Sequence, residues 1–436
     1  MDRVKSSFSI VTLGCKTNQF ESAAMTEKLL AAGYRQVAFE EGADLVLVNT
    51  CTVTSNTDAQ SRKLIRRAQR NNPQARIVVT GCYAQVDAQS LAELPGVSLV
   101  LGNQEKTDLL EELADLNNTA RVAVADIRSE GGKVALEVAS EAQRSRAFLQ
   151  IQNGCDAFCS YCIIPYARGR SRSVEPAAIL EQVDALVAAG HQELVLTGIH
   201  IGQYGKDLFQ PSALLDLIKQ IEPRLQNARL RLGSLEPTEL PEELRTHIAA
   251  SARICPHYHI PLQAGSDRVL EAMNRGYTTS FFAELLQDLH TRQPHAGIGI
   301  DLIVGFPGES DAEFEETYRF VESLPVSYLH VFPYSKRPGT PAASLPGQIP
   351  GDIARLRTAR MRQLGEEKQR RFARNFVEGS LEVIAEAGVK SGKIRAVADN
   401  YLSVHLAADE QLIGKRQMVK ITGYTGLGLE GERGSA

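Results

Sequence analysis

The chain has no tryptophan, only seven cysteines among its 436 residues, and no long apolar run. No segment approaches the roughly 20 consecutive apolar residues that a membrane-spanning helix needs, and the first residues lack the apolar core and cleavage site of a secretion signal. Without such a signal, a small and odd number of cysteines favours metal binding or catalysis over disulfides. We therefore expect a cytoplasmic enzyme with no membrane partner.

The chain also has little excess charge of either sign. Its net charge is −4, so the overall electrostatics do not favour a nucleic-acid partner, and any such binding must use local basic patches. Hydrophobic residues make up 43% of the sequence, which is enough to form sizeable cores. At this length, two or three compact domains are expected.

Residues 1–135 predict a first α/β domain. Short β-branched segments that end at turn signals predict strands, and these are SFSIVTLG, ADLVLVNT, ARIVVTG and VSLVLG. Helical segments lie between them, namely ESAAMTEKLLAAG and DAQSRKLIRRAQRNNP. This alternation predicts a doubly wound parallel sheet. Residues 126–145 lack apolar periodicity and predict a linker.

Residues 141–350 predict a second domain built from six β/α units. Its strand-like segments are AFLQIQ, ELVLTG, RLRLGS, YHIPL, GIGIDLIVGF and SYLHVFPYS. The segments between them suit helices. Six such units predict a partial (β/α)6 barrel, smaller than the eight-stranded form, with its chemistry at the carboxyl ends of the strands.

Residues 351–374 predict a long basic connector helix, and residues 375–436 predict a small all-β domain. The strand-like segments of the latter are SLEVIAEAG, GKIRAVAD, YLSVHL and QMVKITGY, separated by Gly, Asn and Asp turns. About 60 residues of short strands predict a small closed barrel, in the size range of OB-like nucleic-acid binders.

Cys155, Cys159 and Cys162 form a C-x3-C-x2-C motif directly after the first barrel strand. Three thiolates on one tight loop can hold three irons of a 4Fe–4S cluster and leave the fourth iron open. An open iron can chelate S-adenosylmethionine, and electron transfer into the sulfonium then yields a deoxyadenosyl radical. Zinc is the alternative, but zinc loops usually add a fourth Cys or His with paired C-x2-C spacing, and none follows here. The motif therefore favours a radical S-adenosylmethionine enzyme.

Cys15, Cys51 and Cys82 lie far apart in sequence, but each comes just after a predicted strand, in TLGC, VNTC and VTGC. In a parallel sheet the carboxyl ends of the strands meet at one edge, where ligands normally bind. Three separately buried thiols are the alternative, but that alternative does not predict the same position three times. The pattern favours a second cluster. Cys255 matches neither set and is predicted to be a lone buried thiol.

A second group of residues are candidates for contacts with S-adenosylmethionine. They lie at strand ends or beside the cluster loop, where glycine permits close backbone approach, and they are Tyr161, Thr197, Gly198, Glu236, Gln263, Ile303 and Gly305. Ordinary packing at the top of the barrel is the alternative for each. We expect His200, His257 and His259 to be structural, because a radical would abstract the hydrogen.

Two basic patches are candidates for RNA binding. One is a stripe on the second helix of the first domain, and the other follows the cluster loop; their members are Arg62, Lys63, Arg66, Arg67, Arg70, Arg168, Arg170 and Arg172. Charge runs usually mark a solvated face. Because these patches flank both cysteine sets, contact with RNA phosphates is somewhat favoured.

Four motifs resemble those of the radical S-adenosylmethionine methylthiotransferases, over nearly the whole chain: TLGCKTNQFES, VNTCTVTSNTDAQSRKLIRR, VTGCYAQ and CDAFCSYCIIPYARGRSRS. That family has an N-terminal three-cysteine domain, a radical barrel and a small β-barrel called TRAM, in the order predicted here. Within it, the motifs look like the branch that acts on threonylcarbamoyladenosine in tRNA. The isopentenyladenosine branch generally carries a Gln-Met-Asn type first motif.

The resemblance implies a division of labour between two 4Fe–4S clusters. The barrel cluster would make the radical that removes hydrogen from carbon 2 of the adenine, and the N-terminal cluster would present the sulfur. A second S-adenosylmethionine would supply the methyl group, and an electron donor such as flavodoxin or ferredoxin would be needed; no residue identifies the sulfur donor. The alternatives are isopentenyladenosine tRNA or a ribosomal protein aspartate as substrate, and a non-enzymatic iron–sulfur protein that binds RNA.

Overall fold

The computed structural model describes residues 6–114, 120–128, 145–210, 213–426 and 428–433. Most of the linker predicted at residues 126–145 lies outside these ranges. None of the helices in the described part of the chain is both long and apolar enough to cross a membrane.

The N-terminal part contains a six-stranded parallel sheet in the order β2-β1-β3-β4-β5-β6. Its strands are β1 Ser7–Thr12, β2 Arg35–Gln36, β3 Leu45–Thr50, β4 Arg76–Gly81, β5 Val97–Leu101 and β6 Arg121–Ala123. The four strands predicted from apolar segments are confirmed. The edge strands β2 and β6 were missed, since two or three residues without an apolar run carry no strand signal.

Five helices accompany this sheet: α1 Lys16–Ala31, α2 Ser55–Asn71, α3 Cys82–Val86, α4 Ala88–Ala92 and α5 Leu109–Ala114. The α1 helix begins five residues before its apolar pattern, directly after Cys15. The α2 helix begins at a cap in which Thr54 accepts a hydrogen bond from the Thr57 amide at 3.3 Å. It buries one face through Asp58, Ser61, Ile65 and Ala68, so its basic residues lie toward solvent.

The middle of the chain forms the predicted partial barrel. Its strands are β7 Ala147–Gln150, β10 Glu193–Thr197, β11 Arg229–Arg231, β12 His257–His259, β13 Gly297–Val304 and β14 Tyr328–Pro333, with a side pair β8 Gln152–Asn153 and β9 Arg172–Ser173. Parallel pairing joins β7-β10-β11 and β12-β13-β14. Two isolated parallel bridges, Leu230 to Ile254 and Ser234 to His259, connect these halves into one curved sheet.

Five helices cover the outer face of this barrel: α7 Pro176–Ala188, α8 Leu214–Ile221, α9 Glu242–Ala250, α11 Thr279–Arg292 and α12 Asp311–Ser323. Of the two short helices, α6 Ile164–Arg168 packs against α3, and α10 Asp267–Ala272 belongs to a separate apolar cluster. Alternate strand residues such as Leu196, Leu230 and Ile300 belong to the apolar core that packs against the five covering helices. The residues between these point into the lumen, because side chains alternate along a strand. The lumen therefore receives the polar positions of the strands, including Glu193, Arg231 and Asp301.

The predicted connector helix is α13 Gly351–Arg374, but it does not stand free. It packs along β14, and several of its cations bind the barrel. Arg357 pairs with Glu309 and Asp311, both at 2.6 Å. Lys368 donates to the Leu324 carbonyl at 2.8 Å. Part of the basic character of this helix therefore serves packing against the barrel, while Arg355, Arg370 and Arg371 stay exposed.

The C-terminal part is a closed five-stranded barrel in the order β15-β16-β17-β19-β18. Its strands are β15 Ser380–Lys390, β16 Lys393–Ala398, β17 Ser403–Ala407, β18 Arg416–Thr425 and β19 Gly428–Arg433. The turn after β16 closes the amino-terminal end of the radical barrel. There Arg231 donates to the carbonyls of Asp399 at 2.8 Å and Ala398 at 3.0 Å.

We propose the same division of the chain that the sequence predicts: two α/β domains at residues 1–135 and 141–350, a connector helix at 351–374 and a small β-barrel domain at 375–436.

Candidate active site

Cys15, Cys51 and Cys82 follow β1, β3 and β4, three neighbouring parallel strands. The strands are aligned so that Thr12 lies opposite Asn49, and Thr50 lies opposite Gly81. The three cysteines therefore leave the sheet at one edge. A Cβ on Gly14 would lie 2.9 Å from the Cys51 sulfur, so the first two cysteine loops are in direct contact.

Two polar side chains tie these loops together. Asn18 donates to the carbonyls of Leu13 at 2.7 Å and Thr50 at 2.9 Å. The Thr50 hydroxyl donates to the Thr80 carbonyl at 2.6 Å. The carboxyl ends of β1, β3 and β4 are thus held in fixed positions, as a shared ligand would require.

Arg168 joins this edge to the radical barrel. It is fully buried, and its Nε donates to the Cys82 sulfur at 3.1 Å. Its Nη atoms bind Asn18 and Glu21, and Glu21 also pairs with the buried Lys106. The expectation that Arg168 contacts RNA phosphates is therefore wrong, because its guanidinium is enclosed and already paired.

Cys155, Cys159 and Cys162 lie on one loop after β7, as their spacing predicts. The Cys155 amide donates to the Gly169 carbonyl at 3.0 Å, and the Cys162 amide donates to the Cys159 carbonyl at 2.9 Å. Arg275 donates to the Cys159 sulfur at 3.3 Å, and the same guanidinium pairs with Glu236.

The two cysteine sets have the same arrangement of charged side chains beside one sulfur. In each, a buried arginine donates to one sulfur and is held in turn by a glutamate: Arg168 by Glu21, and Arg275 by Glu236. Sequence reasoning missed Glu21, Lys106 and Arg275. Their pairing joins residues far apart along the chain, and no local spacing signals it.

The chemistry of these sulfurs fits a bound cluster. Burial, followed by the neighbouring Cys82, raises the pKa of Cys51 to about 12, and burial raises the pKa of Cys162 to about 12. Such thiols stay protonated unless a metal binds and displaces the proton. Arginine donors to the sulfurs suit an anionic iron–sulfur cluster better than neutral thiols. Both sets therefore fit the clusters that the sequence implies.

His200 lies against the same loop, with its Nδ1 3.4 Å from the Cys155 sulfur and its Nε2 2.9 Å from Glu239. We expected His200 to have a structural role. The structure places it between Cys155, a predicted cluster ligand, and Glu239. Cys255 is buried, as predicted, and its sulfur is 3.9 Å from Glu193.

A cleft of about 230 Å³ separates the two cysteine-bearing regions. Its lining includes the cluster loop, from Tyr161 to Ile164, and also Val53 and Thr54, which lie two and three residues after Cys51. Val53 is 50% exposed and Phe332, from β14, is 42% exposed, so the cleft offers apolar surface to a ligand.

The predicted cofactor contacts divide into two groups. Tyr161, Gln263 and Ile303 line the cleft. The other four do not line it: Thr197, Gly198, Glu236 and Gly305. A Cβ on Gly305 would lie 3.0 Å from Ala354 of α13, which shows tight packing there. The amides that follow Gly198, those of Ile199 and His200, already donate to Gln152. Cofactor contact at all seven positions stays a prediction.

Below the cleft, rings and charges continue along the inner wall of the barrel. His259 hydrogen-bonds Asp301 at 3.0 Å, and His330 approaches the same oxygen at 3.2 Å. Ser234 lies 2.5 Å from the other nitrogen of His259. Asp301 also lines the cleft, so this wall is continuous with it.

The basic stripe of α2 begins beside the cleft. The Ser55 amide donates to Ser335 at 3.0 Å, and Ser335 lines the cleft. Since a helix rises about 1.5 Å per residue, Lys63 and Arg70 lie about 12 and 22 Å further along. Lys63, Arg66 and Arg70 are exposed.

The other candidates for RNA contact are already engaged by protein groups. Arg62 donates to the Tyr83 hydroxyl at 2.6 Å, and Arg67 pairs with Glu40 at 3.1 Å. Beside the cluster loop, Arg170 pairs with Asp156 at 2.7 Å, and Arg172 donates to the Arg168 carbonyl at 2.9 Å. Phosphate contact at these positions stays a prediction.

Comparison with known families places two matches on this chain. Residues 7–102 match the family described as Uncharacterized protein family UPF0004. Residues 149–321 match the Radical SAM superfamily. The first match covers Cys15, Cys51 and Cys82, and the second covers Cys155, Cys159 and Cys162.

Several curated proteins are similar over most of their length. The threonylcarbamoyladenosine tRNA methylthiotransferase MtaB of Bacillus subtilis is 40% identical, over 94% of this chain and 92% of that protein. The protein of the same name from Aquifex aeolicus is 41% identical, over 83% and 88%. The tRNA-2-methylthio-N(6)-dimethylallyladenosine synthase of Moorella thermoacetica is 35% identical, over 99% of each chain.

Solved structures share the fold. The radical S-adenosylmethionine methyltransferase TsrM from Kitasatospora setae superposes with a TM-score of 0.56 and 16% identity, over 77% of this chain and 74% of that chain.

Proposed function

The chain belongs to the radical S-adenosylmethionine tRNA methylthiotransferases, and we propose that it adds a methylthio group to carbon 2 of N6-threonylcarbamoyladenosine next to the anticodon of tRNA. Its named threonylcarbamoyladenosine relatives reach 40% and 41% identity, against 35% for the dimethylallyladenosine relative. The order of identities supports the threonylcarbamoyladenosine branch.

One observation carries the proposal: a single cleft lies between the two cysteine-bearing regions. A base placed there would have the cluster loop on one side and the Cys51 region on the other. Methylthiolation needs that arrangement, since one carbon must first be activated and then receive sulfur. A non-enzymatic iron–sulfur protein would have no use for it.

The residues around the cleft have separate tasks in this proposal. When bound, a 4Fe–4S cluster on each cysteine set and S-adenosylmethionine would supply the one-electron activation, the sulfur and the methyl group. Tyr161, Gln263 and Ile303 would hold the cofactor. Val53 and Phe332 would pack against the adenine and keep water away. Arg168 and Arg275 would stabilise negative charge on the sulfurs of Cys82 and Cys159.

The target base must leave its stack to enter the cleft. In an anticodon loop that costs less than in a duplex, where unstacking takes a few kcal/mol. The flanking stem would then lie over the exposed cations of α2. We place the reaction in the cytoplasm, with an electron donor such as flavodoxin or ferredoxin.

Charge reversal on the α2 stripe should weaken tRNA binding. The Arg66→Glu/Arg70→Glu double variant reverses two exposed cations on the stripe that begins beside the cleft. We expect about tenfold weaker binding at physiological salt and a salt dependence shallower by about two phosphate contacts. Fluorescence anisotropy with labelled tRNA at several salt concentrations measures both.

The matched control is Lys219→Glu/Arg224→Glu, which makes the same change of charge on the exposed outer side of the barrel. It should bind tRNA nearly as tightly as the unaltered protein. If both double variants lose affinity for tRNA equally, the α2 stripe contributes only to the overall electrostatic attraction of tRNA, and the predicted phosphate contacts are wrong.

The proposed function is tested by the product. Anaerobically reconstituted protein, reduced and given S-adenosylmethionine, should convert tRNA carrying threonylcarbamoyladenosine to its 2-methylthio derivative. Mass spectrometry of digested nucleosides detects the added group. Equal product from tRNA carrying isopentenyladenosine would overturn the branch assignment, and the absence of product from both RNAs would overturn the function.

A further inference from the structure

Lys16 begins α1 directly after Cys15, and its side chain lies among groups of the other two domains. Its Nζ is 6.0 Å from the ring centre of Tyr401, which belongs to the turn that closes the radical barrel. The same ring stacks on Arg231 at 5.3 Å and on His257 at 4.5 Å. Lys16 therefore reaches into the lumen of the barrel, where all three parts of the chain meet.

Every other cation of this cluster has a carboxylate partner. Arg231 pairs with Glu193 at 2.7 Å, and Arg229 pairs with the same carboxylate at 2.7 Å and with Glu382 at 3.0 Å. A separate pair joins Arg146 to Glu386 at 2.6 Å.

Lys16 differs from these arginines. Among the residues that the structure describes, no carboxylate pairs with its ammonium group. Lys16 is half-buried, and a partly desolvated cation is more favourable when an anion pairs with it. An anionic group of a ligand would therefore be stabilised in the lumen beside the Lys16 ammonium group.

A continuous wall of rings connects Lys16 with the cleft. Tyr401 stacks on His257, which hydrogen-bonds the Tyr328 hydroxyl at 2.8 Å. Tyr328 in turn stacks near His259 at 6.2 Å, and His259 hydrogen-bonds Asp301 of the cleft. This wall runs from the cleft toward Lys16, which is the direction in which a substituent of a base held in the cleft would extend under the proposal below.

We propose that Lys16 binds the carboxylate of the threonylcarbamoyl group and so selects this nucleoside over one whose substituent is neutral and apolar. The proposal rests on the proposed function and names a residue that decides its substrate. A dimethylallyl group has no charge to offer, and placing it here would leave the ammonium unpaired. Discrimination by a buried polar partner is stronger than discrimination by apolar shape alone.

An RNA phosphate has the same anionic chemistry and could pair with Lys16 instead. The two sources differ in a measurable way. A phosphate is present in every RNA, whereas the carboxylate is present only in the modified nucleoside. The test therefore compares stem–loop RNAs that differ in this one group.

Binding of anticodon stem–loops to the reconstituted protein tests the proposal. Three RNAs are compared by anisotropy: one with threonylcarbamoyladenosine, one with its carboxylate converted to the amide, and one with unmodified adenosine. For Lys16→Gln we expect roughly 10- to 100-fold weaker binding of the first RNA and unchanged binding of the other two. In the unaltered protein, amidation should cause a loss of similar size. In Lys16→Gln it should cause no further loss, since the two changes remove one interaction.

Lys16→Arg keeps the charge and should retain most of the preference for the carboxylate. Lys219→Gln, on the outer side of the barrel, is the matched control and should leave all three affinities unchanged. Iron content and the formation of 5′-deoxyadenosine without RNA should stay the same in Lys16→Gln, which separates recognition from cluster assembly.

Three outcomes would overturn the proposal. Equal losses for all three RNAs would assign Lys16 to a phosphate, and an unchanged preference in Lys16→Gln would show that it does not select the substrate. A loss of iron in Lys16→Gln with the carboxylate preference kept would instead assign Lys16 to the cluster, and would also contradict the proposal. If the unaltered protein forms no methylthio product from the first RNA, the proposed function itself has failed, which is a separate result.

Discussion

Replacing Cys155, Cys159 and Cys162 together with alanine is expected to abolish 5′-deoxyadenosine formation. Reconstituted protein should hold about eight irons in two 4Fe–4S clusters, and the triple variant about four. The reason is that these three thiols lie on one loop, so their removal leaves the barrel cluster with no ligand from that loop. Iron analysis and chromatography of the cleaved cofactor measure both quantities.

Cys255→Ala is the matched control, because it also removes a buried cysteine from the barrel but one that belongs to neither set. It should keep both clusters and form 5′-deoxyadenosine at the normal rate, with at most some loss of stability from the small cavity. Full iron in the triple variant would show that the ligand assignment is wrong.

The triple alanine variant of Cys15, Cys51 and Cys82 should separate the two halves of the reaction. It should still cleave S-adenosylmethionine, because the barrel loop and its Arg275 partner are untouched. It should insert no sulfur, because its own cluster is missing. Cleaved cofactor and methylthiolated nucleoside, measured in the same reaction, give the comparison.

Since Cys51 and Cys82 are buried, a serine version of the same triple variant keeps the volume nearly unchanged and shows whether any loss is due to packing. Both versions should hold about four irons. Normal methylthio product from either one would contradict the two-cluster mechanism, since no other sulfur source at this edge of the sheet has been identified.

Strands and cysteine positions could be predicted from the sequence because their signals are local. A buried parallel strand gives a short segment with apolar residues that ends at a turn signal, and the ten such segments predicted over residues 1–350 are strands in the structure. A cysteine just past such a run must lie at the edge where parallel strands end. Elements without an apolar run gave no signal: β2, β6, β9 and β19 were missed.

The RNA candidates show where local reasoning fails. Arg168 belongs to a basic run in the sequence and is fully buried in the structure. The local sequence of a run of arginines is the same whether the side chains face solvent or pair with a carboxylate from another domain, so the sequence alone does not distinguish the two cases. Glu21, which pairs with Arg168, lies 147 positions earlier.

The sequence by itself determined the architecture, the two cysteine sets and the family motifs, because each strand, each motif and the position of each cysteine relative to its strand can be recognised from residues that are neighbours along the chain. Only the tertiary structure decided which charges are paired. Long-range ion pairs form where separate domains are pressed together and water is excluded. That exclusion makes Arg168 a partner of Cys82 rather than of RNA. Among the residues that the structure describes, it also leaves Lys16 without a carboxylate partner in the lumen.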